Sequence, residues 1–182
     1  MDFKKIIWMA RAFFLKPYFG SIGNLSYIGK PISLLNKKNI FLGRNVHIYP
    51  NARIETYQDG KIKIEDDVSI SENVHIVSAG GTLVIGKGTL IGPNVFISNS
   101  DHEYRDVKQN IVNQPLICKE VVIGSENYIG TGVAILPGTS TGIHTIIGAH
   151  AVVSKKYGSY NVIVGTPGKV VKTYDTNTKK WK

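Results

Sequence analysis

From Leu42 onward the chain sets an aliphatic residue at every sixth position: Leu42, Ile48 and Ile54, then Ile64, Ile70 and Ile76, then Ile85, Ile91 and Ile97. The rhythm resumes at Ile123, Ile129 and Ile135, passes through Thr141, and continues at Ile147 and Val153, giving fifteen anchors in five sets of three. Four positions after an anchor stands a small or β-branched residue (Val46, Ala52, Val68, Val74, Val95, Val133, Thr139, Ala151), and glycine often follows the anchor directly (Gly43, Gly86, Gly92, Gly124, Gly130, Gly142, Gly148). A period of six matches neither the 3.6 of a helix nor a simple hairpin array; it is the period of a hexapeptide parallel β-helix. Each hexapeptide then supplies one short strand and a tight turn, with glycine expected to take the backbone angles of the turn. Three faces close a coil of about 18 residues, so residues one coil apart stack and the anchors fill the inside of a triangular prism.

Breaks in the count locate the insertions. Four surplus residues lie around "YQDGK" between Ile54 and Ile64, and three around "SAGG" between Ile76 and Ile85; both contain turn formers and fit a corner. The surplus between Ile97 and Ile123 is far larger and opens with "ISNSDHEYRD"; an excursion of that size from a compact repeat is usually functional. Ile28 and Leu34 keep a ragged version of the period, which predicts an imperfect entry coil over residues 18–40.

Ahead of the coils, Phe3, Ile6, Ile7, Ala10, Phe13 and Phe14 recur at steps of three and four, with Lys4, Lys5, Arg11 and Lys16 at the edges and Pro17 as a stop. The pattern predicts a helix with one apolar face. Arg11 interrupts its apolar run, the run is far short of the ~20 residues of a membrane span, and no cleavage site follows, so neither a signal peptide nor a transmembrane helix is expected. The helix should cap the fold or pack on a neighbouring subunit, with a membrane surface as the other reading. The predicted organisation is all-β: an N-terminal helix over 1–17, a parallel β-helix of about five to six coils over 18–160 with a loop at 98–119, and a C-terminal extension over 161–182 whose last residues fray.

Composition narrows the partners. The 182 residues suit one domain, and 22 basic against 13 acidic residues give +9, which favours nucleic acid, a membrane surface or a phosphate-rich small molecule. One cysteine, Cys118, excludes an internal disulfide framework.

The run "VVIGSENYIGTGVAILPGTSTGIHTIIGAHAVVSKKYGSYNVIVGTPGKVVK", residues 121–172, resembles the C-terminal half of the hexapeptide-repeat acyltransferases, through "ILPG", "IGAHAVVSK" and the "GTPGKV" exit in that order. Within the family the chain is most similar to the sugar and polysaccharide O-acetyltransferases, which place a histidine in a loop just before this block, where "SDHEY" stands here; "YIGKP" and "NIFLGRNVHIYPNARIE" add to the likeness. The resemblance implies a left-handed β-helix, acetyl-CoA as cosubstrate with no metal, a saccharide acceptor, a homotrimer with active sites between subunits, and a cytoplasmic enzyme with room for association with the inner membrane surface.

An alcohol attacks a thioester well only while a base removes its proton. His102 matches the family's catalytic position, and Asp101 or Glu103 is the candidate to orient its ring. The resemblance implies an oxyanion donor among the backbone amides near Gly130 and Thr131. It also implies an aromatic wall at Tyr128, where many relatives carry tryptophan, and pantetheine contacts near Gly148, Ala149 and Ser154. Phosphate contacts fall at Lys155, Lys156, Lys169 and Lys172. On the acceptor side His75 and Asn99 are the candidates, with Ser71 and Asn73 beside them.

Other readings stay open. A γ-class carbonic anhydrase would need three convergent histidines; His144 and His150, six residues apart, fall on different faces, and neither has a histidine 18 away. Cys118 as a covalent acetyl carrier is set against a buried structural thiol. The chain lacks a recognised nucleic-acid motif, so no nucleic-acid partner is expected. Within the enzyme reading, N-acetylation of a nucleotide-linked amino sugar is the runner-up, with an antibiotic as a further acceptor.

Overall fold

The computed structural model describes residues 3–182, so residues 1 and 2 of the predicted N-terminal segment lie outside the described residues. Parallel strands stack into three ladders, the faces of a left-handed β-helix of about six coils. On the second face Ile28, Ile48, Ile70, Ile91, Ile129, Ile147 and Ile163 form one column, each at most 1% exposed. All fifteen anchors are buried, and so are the eight small residues four positions on, which fill the corners of the prism. Each fully buried isoleucine contributes about 1.5–3 kcal/mol, so the column is a large source of cohesion, as are its counterparts on the other two faces.

Stacking at 18 residues holds in the C-terminal coils, where Ile129 lies over Ile147 and Ile135 over Val153. In the earlier coils the step is longer, as at Leu42 over Ile64, because the surplus residues widen corners without moving an anchor. Ile85 pairs with Ile123, so the long excursion leaves the register intact.

The corners correct one expectation. The left-handed backbone falls on the third residue after an anchor, at Asn45, Asp67, Asn73, Asn94, Glu126, His144 and His150, and not on the glycine that follows the anchor. That glycine is needed for close approach instead: a Cβ on Gly124 would lie 2.4 Å from the Gly142 carbonyl oxygen, and one on Gly130 would lie 2.7 Å from the Ala149 nitrogen. Polar columns tie the same corners together. Asn127, 2% exposed, donates to the Gly124 and Gly142 carbonyls and accepts from the Thr145 N–H at 2.8 Å.

The N-terminal helix, Phe3–Leu15, closes one end of the prism, but with an unexpected face. Ala12 and Leu15 pack on the core end beside Phe19, Trp8 lies 5.7 Å from both Tyr27 and Tyr49 rings, and Arg11 donates to the Ile28 carbonyl at 2.9 Å. The predicted apolar face points away: Phe3, Ile6, Ile7, Phe13 and Phe14 are all exposed. Aromatic neighbours Tyr27 and Tyr49 and the small Ala12 allow the closer seat, which a count of apolar residues does not weigh.

The C-terminal extension also departs from the frayed tail expected. Asn161–Val164 is one more rung of the second face, with Ile163 fully buried. Lys169–Asp175 then runs back antiparallel beside it, and Lys180–Trp181 pairs with Tyr174 and Asp175.

Candidate active site

The excursion leaves the third face after Ile97 and returns to the first at Val121. Ser100–His102 and Leu116–Cys118 form a short antiparallel ladder in which His102 faces Leu116. Asn99 fixes its root. Fully buried, it accepts the Ala79 N–H at 3.0 Å, donates to Ser78 Oγ at 2.9 Å and to the Gly80 carbonyl at 2.6 Å, and its own carbonyl accepts the Lys119 N–H. The acceptor contact expected of Asn99 is therefore corrected: its amide has no exposed atom to offer a sugar, and it anchors the hairpin instead. At the far end the Gln114 amide gathers the Asp106 and Gln109 carbonyls at 2.9 and 3.1 Å.

Between hairpin and coils lies a cleft of about 270 Å³. Asp101, His102, Tyr104, Arg105, Ile117 and Lys119 line it from the hairpin, and Leu136, Pro137 and Ser154 from the coils. The structure thus brings His102 and Asp101 together with Ser154. His102 is exposed, and its ring makes no hydrogen bond among the described residues; its backbone N–H donates to Asp101 Oδ1 at 2.8 Å. Glu103 is occupied by the Arg105 and Tyr104 N–H groups, which hold its carboxyl below the usual range, and by the Arg105 guanidinium at 3.2 Å. Neither acid touches the imidazole.

The other predicted residues sit elsewhere. Lys155 and Lys156 are exposed beyond Ser154 at the same corner. Gly130, Thr131, Gly148 and Ala149 stack at the opposite corner of the third face, and Tyr128, 46% exposed, projects from the second face. The Gly130 N–H is taken by the Ile147 carbonyl at 2.8 Å, whereas the N–H groups of Thr131 and Ala149 donate to no group among the described residues. Lys169 and Lys172 lie exposed on the returning tail strand. Four residues lie between Ala149 and Ser154, among them the strand Val152–Val153, so the width of the third face separates the two corners in one chain.

His75 lies on the third face, beneath Phe96 at a ring separation of 5.4 Å and outside the cleft lining. Its Nε2 is 3.3 Å from Glu55 Oε2, close enough for an ion pair but not aligned for a hydrogen bond. Burial pushes the 4%-exposed Glu55 carboxyl up, but hydrogen bonds from Ser33 and Arg53 and the charges of Arg53 and His75 prevail and hold it below the usual range. His144 and His150 occupy left-handed corner positions, and among the described residues no three His, Cys, Asp or Glu side chains are grouped to hold a metal. Cys118 is exposed, where a buried thiol was expected; partial burial and then the Asp59 carboxylate push its pKa up, which disfavours the reactive thiolate.

No family model matches the sequence. The chain is 32% identical to the Putative lipopolysaccharide biosynthesis O-acetyl transferase WbbJ of Escherichia coli, over 87% of this chain and 84% of that protein. It belongs to the hexapeptide-repeat acyltransferases. It is also 26% identical to the Escherichia coli galactoside O-acetyltransferase, over 92% of this chain and 70% of that one. AntD, an N-acyltransferase from Bacillus cereus crystallised with a dTDP-amino sugar and coenzyme A, superposes with a TM-score of 0.80 over 92% of this chain and 91% of its own at 18% identity, a likeness of fold. The cleft-lining residues that sequence reasoning did not name as candidates are Tyr104, Arg105, Ile117, Lys119, Leu136 and Pro137. Of these, Leu136 and Pro137 were quoted in "ILPG" but read only as a family signature, and Lys119 directly follows the return strand.

Proposed function

We propose that this acyltransferase moves an acetyl group from acetyl-CoA to a sugar hydroxyl in the biosynthesis of a surface polysaccharide, with His102 as general base. One observation carries the reading: the only histidine on the excursion lines a cleft between hairpin and coils and has an imidazole with no hydrogen-bond partner among the described residues. A ring nitrogen takes the acceptor hydroxyl's proton as the oxygen attacks the thioester carbonyl carbon. The carbonyl oxygen gains the negative charge, for which the unused Thr131 N–H is the donor. Collapse breaks the C–S bond, and the imidazolium returns its proton to the departing thiolate. Acetyl-CoA would be held by the unpaired amides at Thr131 and Ala149 and the exposed lysines at 155, 156 and 169. The names of the Escherichia coli relatives support a saccharide hydroxyl as acceptor.

His102 lies on one edge of the third face and Thr131 and Ala149 on the other, so we infer a homotrimer in which the hairpin of one copy meets the amide corner of the next. Complementation tests this: His102→Ala and Ala149→Tyr chains, each inactive alone, should regain activity when co-assembled, and mixed trimers without activity would place each site within a single chain. Among the described residues no helix is long and apolar enough to cross a membrane. We assign the enzyme to the cytoplasm, where acetyl-CoA is available.

Release of CoA thiol with a panel of mono- and oligosaccharides tests the chemistry. Turnover should depend on the acceptor and fall about a hundredfold or more in His102→Ala; unchanged turnover would remove His102 from the mechanism. The fold shared with AntD favours one second reading, transfer to a sugar amine. Hydroxylamine cleaves an O-acetyl product and spares an N-acetyl one, so the product decides between them.

A further inference from the structure

The helix Phe3–Leu15 has two apolar faces and uses only one on its own chain. At 100° per residue, Phe3, Ile6, Ile7, Ala10 and Phe14 lie on the side opposite the packed Ala12, with Phe13 at their flank. Phe3, Phe13 and Phe14 are each more than 70% exposed, and Ile6 and Ile7 nearly half. Because Ala12 and Leu15 pack on the core, this second face points away from the chain's own coils.

Charge identifies what belongs against it. Residues 3–54 carry nine Lys or Arg and no Asp or Glu, whereas residues 55–182 carry thirteen basic against twelve acidic. Almost all of the +9 excess therefore belongs to the helix and the coils nearest it. Lys4, Lys16, Lys30 and Lys38 are exposed there, and the Lys38 ammonium bonds the Pro17 carbonyl at the foot of the helix at 2.7 Å. A second copy meeting this end with its own would oppose two surfaces of net positive charge, which is repulsive. Nucleic acid would satisfy the lysines and leave the phenylalanines and isoleucines in water. A bilayer with anionic headgroups satisfies both.

We propose that the helix end of the molecule docks on an anionic phospholipid surface. The helix lies in the interface with Phe3, Ile6, Ile7 and Phe14 among the acyl chains, and the lysine collar meets lipid phosphates. With 13 residues it is too short to span. Docking presents the catalytic hairpin to acceptors held at the membrane, although the inference rests on the helix and its charge alone and stands whether or not acetyl transfer is the reaction.

Flotation of the full chain with phosphatidylcholine vesicles, and with phosphatidylcholine–phosphatidylglycerol vesicles, is the test. Partition should require the anionic lipid and weaken as salt rises. The Phe3→Ser, Phe14→Ser double variant should bind about tenfold less or worse at an unchanged melting temperature, since both side chains are exposed, and Lys16→Gln, Lys38→Gln should lose roughly fivefold per lysine. Equal binding to both vesicle types, or undiminished binding by the double serine variant, would overturn the proposal. So would a particle mass in solution that the double serine variant halves, because that face would then join copies end to end.

Discussion

The coils and the hairpin that leaves them use polar groups in opposite ways. In the coils, Asn127 and Thr89 reach across rungs, to Gly142 and Thr145 and to Gly124, so each side chain fixes its neighbour in the stack. In the hairpin, Asp101 and Glu103 satisfy only residues one or two places on, Glu103 taking the Arg105 guanidinium as well as backbone N–H groups, and the His102 ring bonds nothing among the described residues. The coil corners built on Asn127 and Thr89 are tied within one chain, whereas the hairpin, like the Thr131 and Ala149 amides, has bonds left to make. Where polar groups are left unanswered, substrate has a place to be held.

If that division is right, the largest effect comes from the smallest structural change. His102→Ala should cut turnover by about 10²–10⁴ while leaving the melting temperature within the error of the measurement; calorimetry beside the thiol assay checks both halves. The reverse pattern belongs to the prism. Ile129→Ala empties a fully buried site and should cost about 2–5 kcal/mol in denaturant unfolding, with activity per folded molecule retained. Asn99 lies on the boundary, and Asn99→Ala, which orphans the Ala79 N–H and Ser78 hydroxyl, should cost about 1–3 kcal/mol and also lower kcat by loosening the hairpin root. An Asn99→Ala enzyme with full kcat would mean that the hairpin does not need its root.

The smallest expected effect is a pH dependence on the coil side. Glu55 is held below its ordinary carboxylate pKa of about 4.3, so its contribution is whole above that value and fades as pH falls through the lowered one. Melting temperatures taken from about pH 6 to about pH 3 should fall less steeply for Glu55→Gln than for the native chain. A parallel fall would show that Arg53 and His75 do not favour the ionised form.

How much of this was legible in the sequence follows the same boundary. The anchors declare themselves because one repeating constraint, a side chain inside a prism, acts on each of them, and Ile129 obeys it as Ile48 does. Glycine spacing was visible too, but its cause was not: Gly124 answers to the backbone of the next coil, which lies 18 residues away in sequence and in contact only once the stack exists. His102 stood out because it breaks the rhythm. Asn99, three residues earlier, looked equally polar and equally placed, and only the fold shows that Ala79 and Gly80 pass close enough to claim its amide. The helix misled for a related reason, since both of its faces are apolar and a periodicity cannot say which one meets Tyr27 and Tyr49.

A stack of identical rungs has no inherent length. Its last rung offers the same row of amides and carbonyls as any interior one, so an uncovered end is a template on which another copy could continue the ladder. Here the first rung is stopped by the helix and the last by the strand that turns back along Asn161–Val164. These two elements make the enzyme a counted object instead of a fibre, and a chain that lost either would be expected to grow by the same pairing that folds it.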